Sequence, residues 1–231
     1  MSNFFAKKLD SIGCALLPAQ CVLCGAAAGS AALCDACRRE LPRLGDACPR
    51  CALPSPGRAV CGDCFVRPPP LDFAVAAFRY EFPVDRMIQA LKYAGQLAHA
   101  QALGSALARA SLDAGALDAL VALPLAPARQ RERGFNQAAE IARRVAAARG
   151  IALDDGLARL RDTPPQASLP LRERARNVRG AFTARHPFAG LRVAIVDDVM
   201  TTGASMHAAA RALRAAGARE VGALVVARTL R

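Results

Sequence analysis

The sequence predicts an α/β fold, a parallel sheet flanked by helices, with a small N-terminal four-cysteine module ahead of it. Three observations carry this. All nine cysteines lie within the first 64 residues and none beyond. After residue 70, short continuous apolar runs alternate with longer stretches whose apolar residues recur at helical spacing. That is the pattern of strands buried on both faces of a sheet with helices packed over them. Two of the strand–turn–helix junctions, at 129–136 and 197–205, are dense in groups that bind anions.

The 231 residues suffice for one domain of ordinary size plus a small module. A hydrophobic fraction of 53% against 22% charged residues excludes a disordered chain. Net charge is +12, and the stretch from Arg129 to Arg185 holds 13 arginines against six acids, a local excess of +7. Such a bias suits polyanionic partners, a pyrophosphorylated sugar or a nucleic acid. No apolar run approaches the roughly 18 residues of a membrane-spanning helix. The opening MSNFFAKKLDSIGCALLPAQC has a short apolar patch interrupted by Asp10, and no small-x-small cleavage site precedes its cysteines. It reads as an amphipathic helix, and the protein is expected in the cytoplasm.

Eight cysteines form four C-x-x-C pairs: Cys21/Cys24, Cys34/Cys37, Cys48/Cys51 and Cys61/Cys64. Each pair of the second half follows its counterpart by 27 residues (48 − 21 and 61 − 34), so the unit C-x2-C-x9-C-x2-C occurs twice. A C-x-x-C turn presents two thiolates at the separation tetrahedral zinc requires, and two such knuckles close a four-thiolate site. The repeat favours one Zn²⁺ per unit, Cys21, Cys24, Cys34 and Cys37, then Cys48, Cys51, Cys61 and Cys64. Equal loops also permit a cross-braced arrangement. Disulfides do not suit a chain read as cytoplasmic. Both metals would be structural, because four thiolates leave no position for water. Arg38, Arg39, Arg43, Arg50 and Arg58 could meet nucleic acid, but Asp35, Glu40, Asp46 and Asp63 share the module. Cys14 is left over as a small apolar side chain.

Arg67-Pro68-Pro69-Pro70 is a stiff polyproline joint. It divides residues 1–67, the N-terminal helix and double zinc ribbon, from residues 71–231, the larger domain. Strands are expected over Asp72–Tyr80, Ala119–Leu125, the run Val193–Val196 and Val221–Ala227. Helices are expected over Val84–Tyr93 and Leu97–Leu112. A third, with Ala138, Ile141, Ala142 and Val145 on its apolar face, follows Asn136, and an Ala-rich helix follows Ser205.

The strand at Val193–Val196 is followed by Asp197 and Asp198, and then by Thr201, Thr202, Gly203 and Ser205. Unpaired N–H groups and the positive end of the next helix point into such a turn, and short hydroxyls add donors. Gly203 lets the backbone close on a bound group. A phosphate suits the turn, while two carboxylates suit sugar hydroxyls. Together they describe a ribose-5-phosphate site. A phospho-receiver domain also pairs acids after a strand, but it needs further residues on three later strands and only 26 residues follow Ser205. At the other junction Arg129, Arg131 and Arg133 precede Gly134, and Asn136 stands near the helix start. Guanidinium forks there match phosphate oxygens in pairs; Arg131 alone reads as solvated.

VAIVDDVMTTGAS, Val193 to Ser205, resembles the phosphoribosyl pyrophosphate (PRPP) signature of type I phosphoribosyltransferases. The resemblance implies that Asp197 and Asp198 are the catalytic pair on the ribose 2′ and 3′ hydroxyls. It implies that Thr201, Thr202, Gly203, Ala204 and Ser205 wrap the 5′-phosphate, and that Arg129, Arg133, Gly134 and Asn136 hold pyrophosphate. Taken with LPLAPARQRERGFNQAAEIA, RDTPPQASLPLRERARNVRGAF and the cysteine-rich start, the chain resembles the ComF family nearly throughout. That family joins zinc knuckles to a type I phosphoribosyltransferase-like domain and is associated with DNA uptake in natural competence. The resemblance places Gln166, Arg172, Arg174 and Asn177 on a flap over the site, and Lys92 matches a family lysine.

The implied activity is binding of PRPP with Mg²⁺ and transfer of its phosphoribosyl group with release of pyrophosphate. Arginines, amides and Mg²⁺ would stabilise the leaving group while the acids fix the ribose. No base for the acceptor stands out, since His99, His186 and His207 lie outside the motifs. The alternative is an adaptor that senses PRPP without turnover and holds single-stranded DNA or a protein of the uptake machinery. A purine or pyrimidine salvage enzyme is disfavoured, because no base-recognition hood is recognisable.

Overall fold

The structure, a computed structural model, describes residues 19–160 and 180–230. The N-terminal helix expected before Cys21, Cys14 and the expected flap residues Gln166, Arg172, Arg174 and Asn177 lie outside them.

The 27-residue repeat is a repeat of structure. The first knuckle bridges Gln20 to Ala27 and the second bridges Ala47 to Pro54, each partner displaced by 27. Cys21 N donates to Ala26 O at 2.7 Å, and Cys48 N donates to Leu53 O at 2.7 Å. Each unit ends in a short helix, α1 (Asp35–Glu40) and α2 (Gly62–Val66). The polyproline joint leads into β1 (Phe73–Arg79), α3 (Val84–Ala94) and α4 (Leu97–Ala110). Then follow β2 (Ala119–Ala122), α5 (Pro127–Arg133), α6 (Gln137–Arg149), β3 (Ala152–Asp154), β4 (Leu157–Arg159) and β5 (Phe182–Ala184). The chain closes with β6 (Arg192–Met200), α7 (Ala204–Ala215) and β7 (Glu220–Arg228).

Five strands form one parallel sheet in the order β1-β7-β6-β2-β3, while β4 and β5 pair separately as an antiparallel ribbon. Successive residues of β6 serve opposite faces, as the two-residue period of a strand requires. Ala194 and Val196 join the core under α3, α4 and α6, with Leu91, Leu103, Leu107 and Ile141. Val193 and Ile195 join the core under α7, with Met206, Ala209 and Leu213. All four strand residues are fully buried, which is why the run reads as unbroken apolar sequence.

Among the described residues the expected strands and helices are present, with three differences. The basic segment at 129–136 is largely helical, not a turn: Pro127 fits the first position of α5, and Gly134 ends it at φ 77°. The strand expected over Val193–Val196 runs on to Met200, with Asp197 in register with Val225, so both acids stand on the strand itself. The three-residue strands β3, β4 and β5 are too short to leave a periodic signal. No helix among the described residues is long and apolar enough to cross a membrane.

Candidate functional site

In the order β1-β7-β6-β2-β3, the chain leaves β2 through α6 toward β3 and leaves β6 through α7 toward β7. α6 and α7 lie on opposite faces of the sheet. The strand order therefore reverses between β2 and β6, and loops leaving opposite ways open a crevice beyond their C-terminal ends. A cavity of about 680 Å³ occupies that place. Arg129 and Arg133 line one wall; Asp197, Asp198, Thr201, Gly203, Ala204 and Ser205 line the other. The two expected constellations thus share one site.

Not every expected residue faces it. Asn136 spends its amide on the backbone: Oδ1 accepts from Ala138 N at 3.0 Å and Nδ2 donates to Leu123 O at 3.1 Å, capping α6. Gly134 supplies the left-handed end of α5. Thr202 turns away, its Oγ1 accepting from Ala204 N at 3.3 Å. Arg131 is exposed, as its solvated reading requires.

Asp198 is 3% exposed and forms an ion pair with Lys92, which α3 projects from its last turn. Gln137 Nε2 donates to Asp198 Oδ1 at 3.3 Å, and Arg133 Nη1 donates to Gln137 Oε1 at 2.5 Å. A continuous line, Arg133 to Gln137 to Asp198 to Lys92, therefore ties the basic wall to the acidic one. Burial alone would raise the Asp198 carboxyl, but the Lys92 ammonium overrides it and holds Asp198 below the usual range. Burial would likewise lower Lys92, and the Asp198 charge raises it instead. Asp197 is held well above the carboxylate range, by burial and then by the charge of Asp198 beside it. The pair is thus split into a fixed anion and an acid that keeps its proton into a higher pH range.

The sequence reading gave Lys92 only a family match, and it did not single out Gln137, Gln89, Tyr80, Tyr93 or Arg159, which also line the cavity. Tyr93 is 79% exposed with the Arg133 guanidinium 5.5 Å from its ring centre. Lys92 closes the last turn of α3 and Gln137 opens α6, and only their convergence on Asp198 brings them together.

The cysteines form two clusters, Cys21, Cys24, Cys34 and Cys37, then Cys48, Cys51, Cys61 and Cys64, with all sulfurs in each within 4.8 Å of one another. The pairing is sequential, and the cross-braced alternative does not occur. Cys24 Sγ to Cys34 Sγ and Cys51 Sγ to Cys61 Sγ are both 3.7 Å. A tetrahedron with Zn–S bonds of about 2.3 Å has edges of roughly 3.8 Å, so both clusters fit the ion.

Residues 13–65 match the double zinc ribbon domain family, and residues 131–230 match the phosphoribosyl transferase domain family. The chain is 34% identical over 206 residues to DNA utilization protein YhgH of Salmonella typhimurium, covering 86% of this chain and 91% of that protein. The protein of the same name in Escherichia coli K12 is 32% identical over 224 residues, covering 93% and 99%. Competence protein F of Haemophilus influenzae is 30% identical over 171 residues, covering 70% and 75%. The chain belongs to the ComF family. Both parts of a ComF protein are present on one frame, the sequential four-cysteine clusters and the phosphoribosyltransferase-like sheet. In this ComF chain the second zinc-ribbon unit is also linked to the root of the site's turn, because the guanidinium of Arg228 bonds Cys51 O at 2.9 Å and Met200 O at 2.8 Å.

Proposed function

We propose that the cavity binds PRPP with Mg²⁺ and transfers its phosphoribosyl group to an acceptor, releasing pyrophosphate, in a protein that serves DNA uptake or use. The observation that carries this is that one cavity holds a carboxylate pair and hydroxyl-lined turn on one wall and Arg129 and Arg133 on the other. The relatives' names, DNA utilization protein and competence protein, supply the cellular context. We keep 1–67 and 71–231 as the working division of the chain, and the cytoplasm as its compartment.

The 5′-phosphate takes the start of α7, where the amides of Gly203, Ala204 and Ser205 and the Thr201 and Ser205 hydroxyls offer donors. Asp197 and Asp198 accept from the ribose hydroxyls. Lys92 keeps Asp198 ionised and therefore a pure acceptor, while Gln137 fixes its orientation. Arg129 and Arg133 take the pyrophosphate, whose developing charge they stabilise as the bond to the anomeric carbon breaks. Mg²⁺ binds through few carboxylates and mostly through water and substrate phosphates. Asp198 is committed to Lys92 and Gln137, so Asp197, which would give up its proton to the cation, and the ligand's own oxygens are the donors that would hold the ion. Mg²⁺ supplies charge neutralisation of the pyrophosphate.

Calorimetry with PRPP and MgCl₂ tests the site. The double variant Asp197→Asn/Asp198→Asn is expected to lose at least tenfold in affinity, about 1.4 kcal/mol, with its circular dichroism unchanged. Undiminished binding ends the proposal. A second reading has its own support: no histidine lines the cavity, and Asp198 is tied to Lys92, which leaves an acceptor without an evident base. Under it the protein senses PRPP and holds single-stranded DNA or a partner of the uptake machinery. Pyrophosphate release on adding candidate acceptors separates the two. The DNA arm requires retention that weakens steeply with salt in filter binding.

A further inference from the structure

Arg228 ends β7 and is 3% exposed, although a guanidinium is seldom buried without dedicated partners. Strand register sets it beside Met200, the last residue of β6. Its Nη1 donates to the carbonyls of Met200 at 2.8 Å, Thr229 at 3.0 Å and Thr201. Its Nε donates to the carbonyl of Cys51 at 2.9 Å. Cys51 is a corner of the second four-cysteine cluster. Met200 and Thr201 are the point where the 201–205 turn leaves its strand. One planar, rigid fork therefore spans the metal knuckle and the root of the turn.

The turn has the ligand cavity on one side and the knuckle on the other. A second cavity of about 700 Å³ separates turn from knuckle, lined by Cys51, Cys64, the polyproline joint, Thr202, Gly203 and His207. Arg228 lines this second cavity and is not among the residues lining the first, so it acts on the turn through the backbone. The first cluster is placed differently. Cys21 and Leu33 pack into the core under α4, on the other face of the sheet.

We propose that Arg228 is a positioning residue through which metal in the second four-cysteine cluster, and not in the first, sets the shape of the 201–205 turn and hence its affinity for a phosphate. The link to affinity rests on the reading of that turn as the 5′-phosphate seat; the link to shape does not. A bound ion fixes the four thiolates and with them the Cys51 carbonyl. Without the ion nothing ties the four sulfurs together, the knuckle opens and Nε loses its acceptor. The guanidinium is then free to shift, and the Met200 and Thr201 carbonyls lose the clamp that aims the amides of Gly203 and Ala204.

The test uses the full chain with its zinc content measured, and reads amide hydrogen exchange of residues 201–205 alongside PRPP calorimetry. Cys61→Ser, which removes a ligand of the second cluster, is expected to accelerate exchange in the turn by at least about tenfold and to weaken PRPP by a similar factor. Cys24→Ser, in the first cluster, is expected to leave the turn unchanged. Arg228→Met is expected to match the effect of Cys61→Ser on the turn while keeping both zinc ions, and Arg228→Lys to fall between. The two changes together should do no more than either alone, the mark of one shared route. Equal effects of Cys61→Ser and Cys24→Ser on the turn overturn the proposal, as does a Cys61→Ser effect that persists in full on the Arg228→Met background. Should Arg228→Met fail to fold, the two cysteine variants still decide. If the native chain binds no PRPP while the exchange pattern holds, the phosphate reading falls and the metal coupling stands.

Discussion

Two side chains near the cavity make their contributions through charge and burial, and each gives a measurable signature. Lys92 is the counter-charge of a carboxylate that is almost wholly buried. Lys92→Met leaves Asp198 ionised without its partner, a change that costs about 3 kcal/mol in buried pairs. Without the ammonium, burial raises the Asp198 carboxyl, so the group takes up a proton more readily in the folded state. The loss is therefore greatest at alkaline pH and shrinks as pH falls; urea unfolding at pH 5 and pH 8 should show the difference, and an equal loss at both would exclude this pairing as the cause. His207 works in the opposite sense. Burial first, then Arg211 and Arg228, depress it from 6.5 to about 4. A depressed group contributes its full stability above the unfolded value and loses it as pH falls through the folded one. His207 should thus cost the protein up to about 3 kcal/mol between pH 6.5 and pH 4. His207→Gln should flatten that slope in denaturant titrations.

At the level of elements, the helix that carries Gln137 is set by its first residue. Asn136 caps α6 and reaches back to Leu123 O, so one side chain fixes both the start of the helix and its distance from β2. Asn136→Ala is expected to cost about 1 kcal/mol from the cap, with more from the buried Leu123 carbonyl left unpaired. PRPP affinity should fall with it through displaced Gln137, while Asn136→Asp, which keeps the cap acceptor but has no donor for Leu123 O, should recover only the cap's share; melting temperatures of the two variants separate these contributions. Asn136 also shows where the sequence was informative and where it was not. Its place before an amphipathic run marks a helix start, and a polar residue beside an arginine cluster resembles a ligand; one residue type serves both, and only coordinates show which bonds it makes. The apolar run Val193–Val196 was legible because both faces of β6 are buried. Its extension through Asp197 and Asp198 was not, since carboxylates on a central strand contradict the usual pattern and occur here at its open end. Gln137 was illegible, and Lys92 was marked only by its family match, for another reason. Their role depends on two side chains, 45 residues apart in sequence (137 − 92), that converge on Asp198.

Across the whole molecule the cysteine module completes the sheet as well as preceding it. β1 is an edge strand of the sheet, and an unpaired edge invites association with other chains. The segment at the start of the second unit lies along it: Leu44 N donates to Ala77 O at 3.4 Å, Arg79 N to Pro42 O at 2.8 Å and Ala74 N to Pro49 O at 2.7 Å. Arg43 also bridges Phe78, and Leu44 and Ala52 enter the core beneath α7. The two clusters straddle this edge, one toward each face, with Cys21, Leu33 and Leu41 packed into the opposite core. Metal binding in such small knuckles is folding energy, on the order of 10 kcal/mol per structural zinc in isolated finger peptides. Stripping it should therefore do more than melt a detached appendage. Chelation is expected to lower the melting temperature of the entire chain, by about 10 °C or more on the usual scaling for a chain of this size. It should also release the edge of β1, so that light scattering rises at temperatures where the metal-loaded protein stays clear. Two zinc ions per chain should be recovered by elemental analysis. A chelated protein that keeps its melting temperature and stays monodisperse would mean that β1 needs no cover, and that the ribbon hangs on the sheet without holding it.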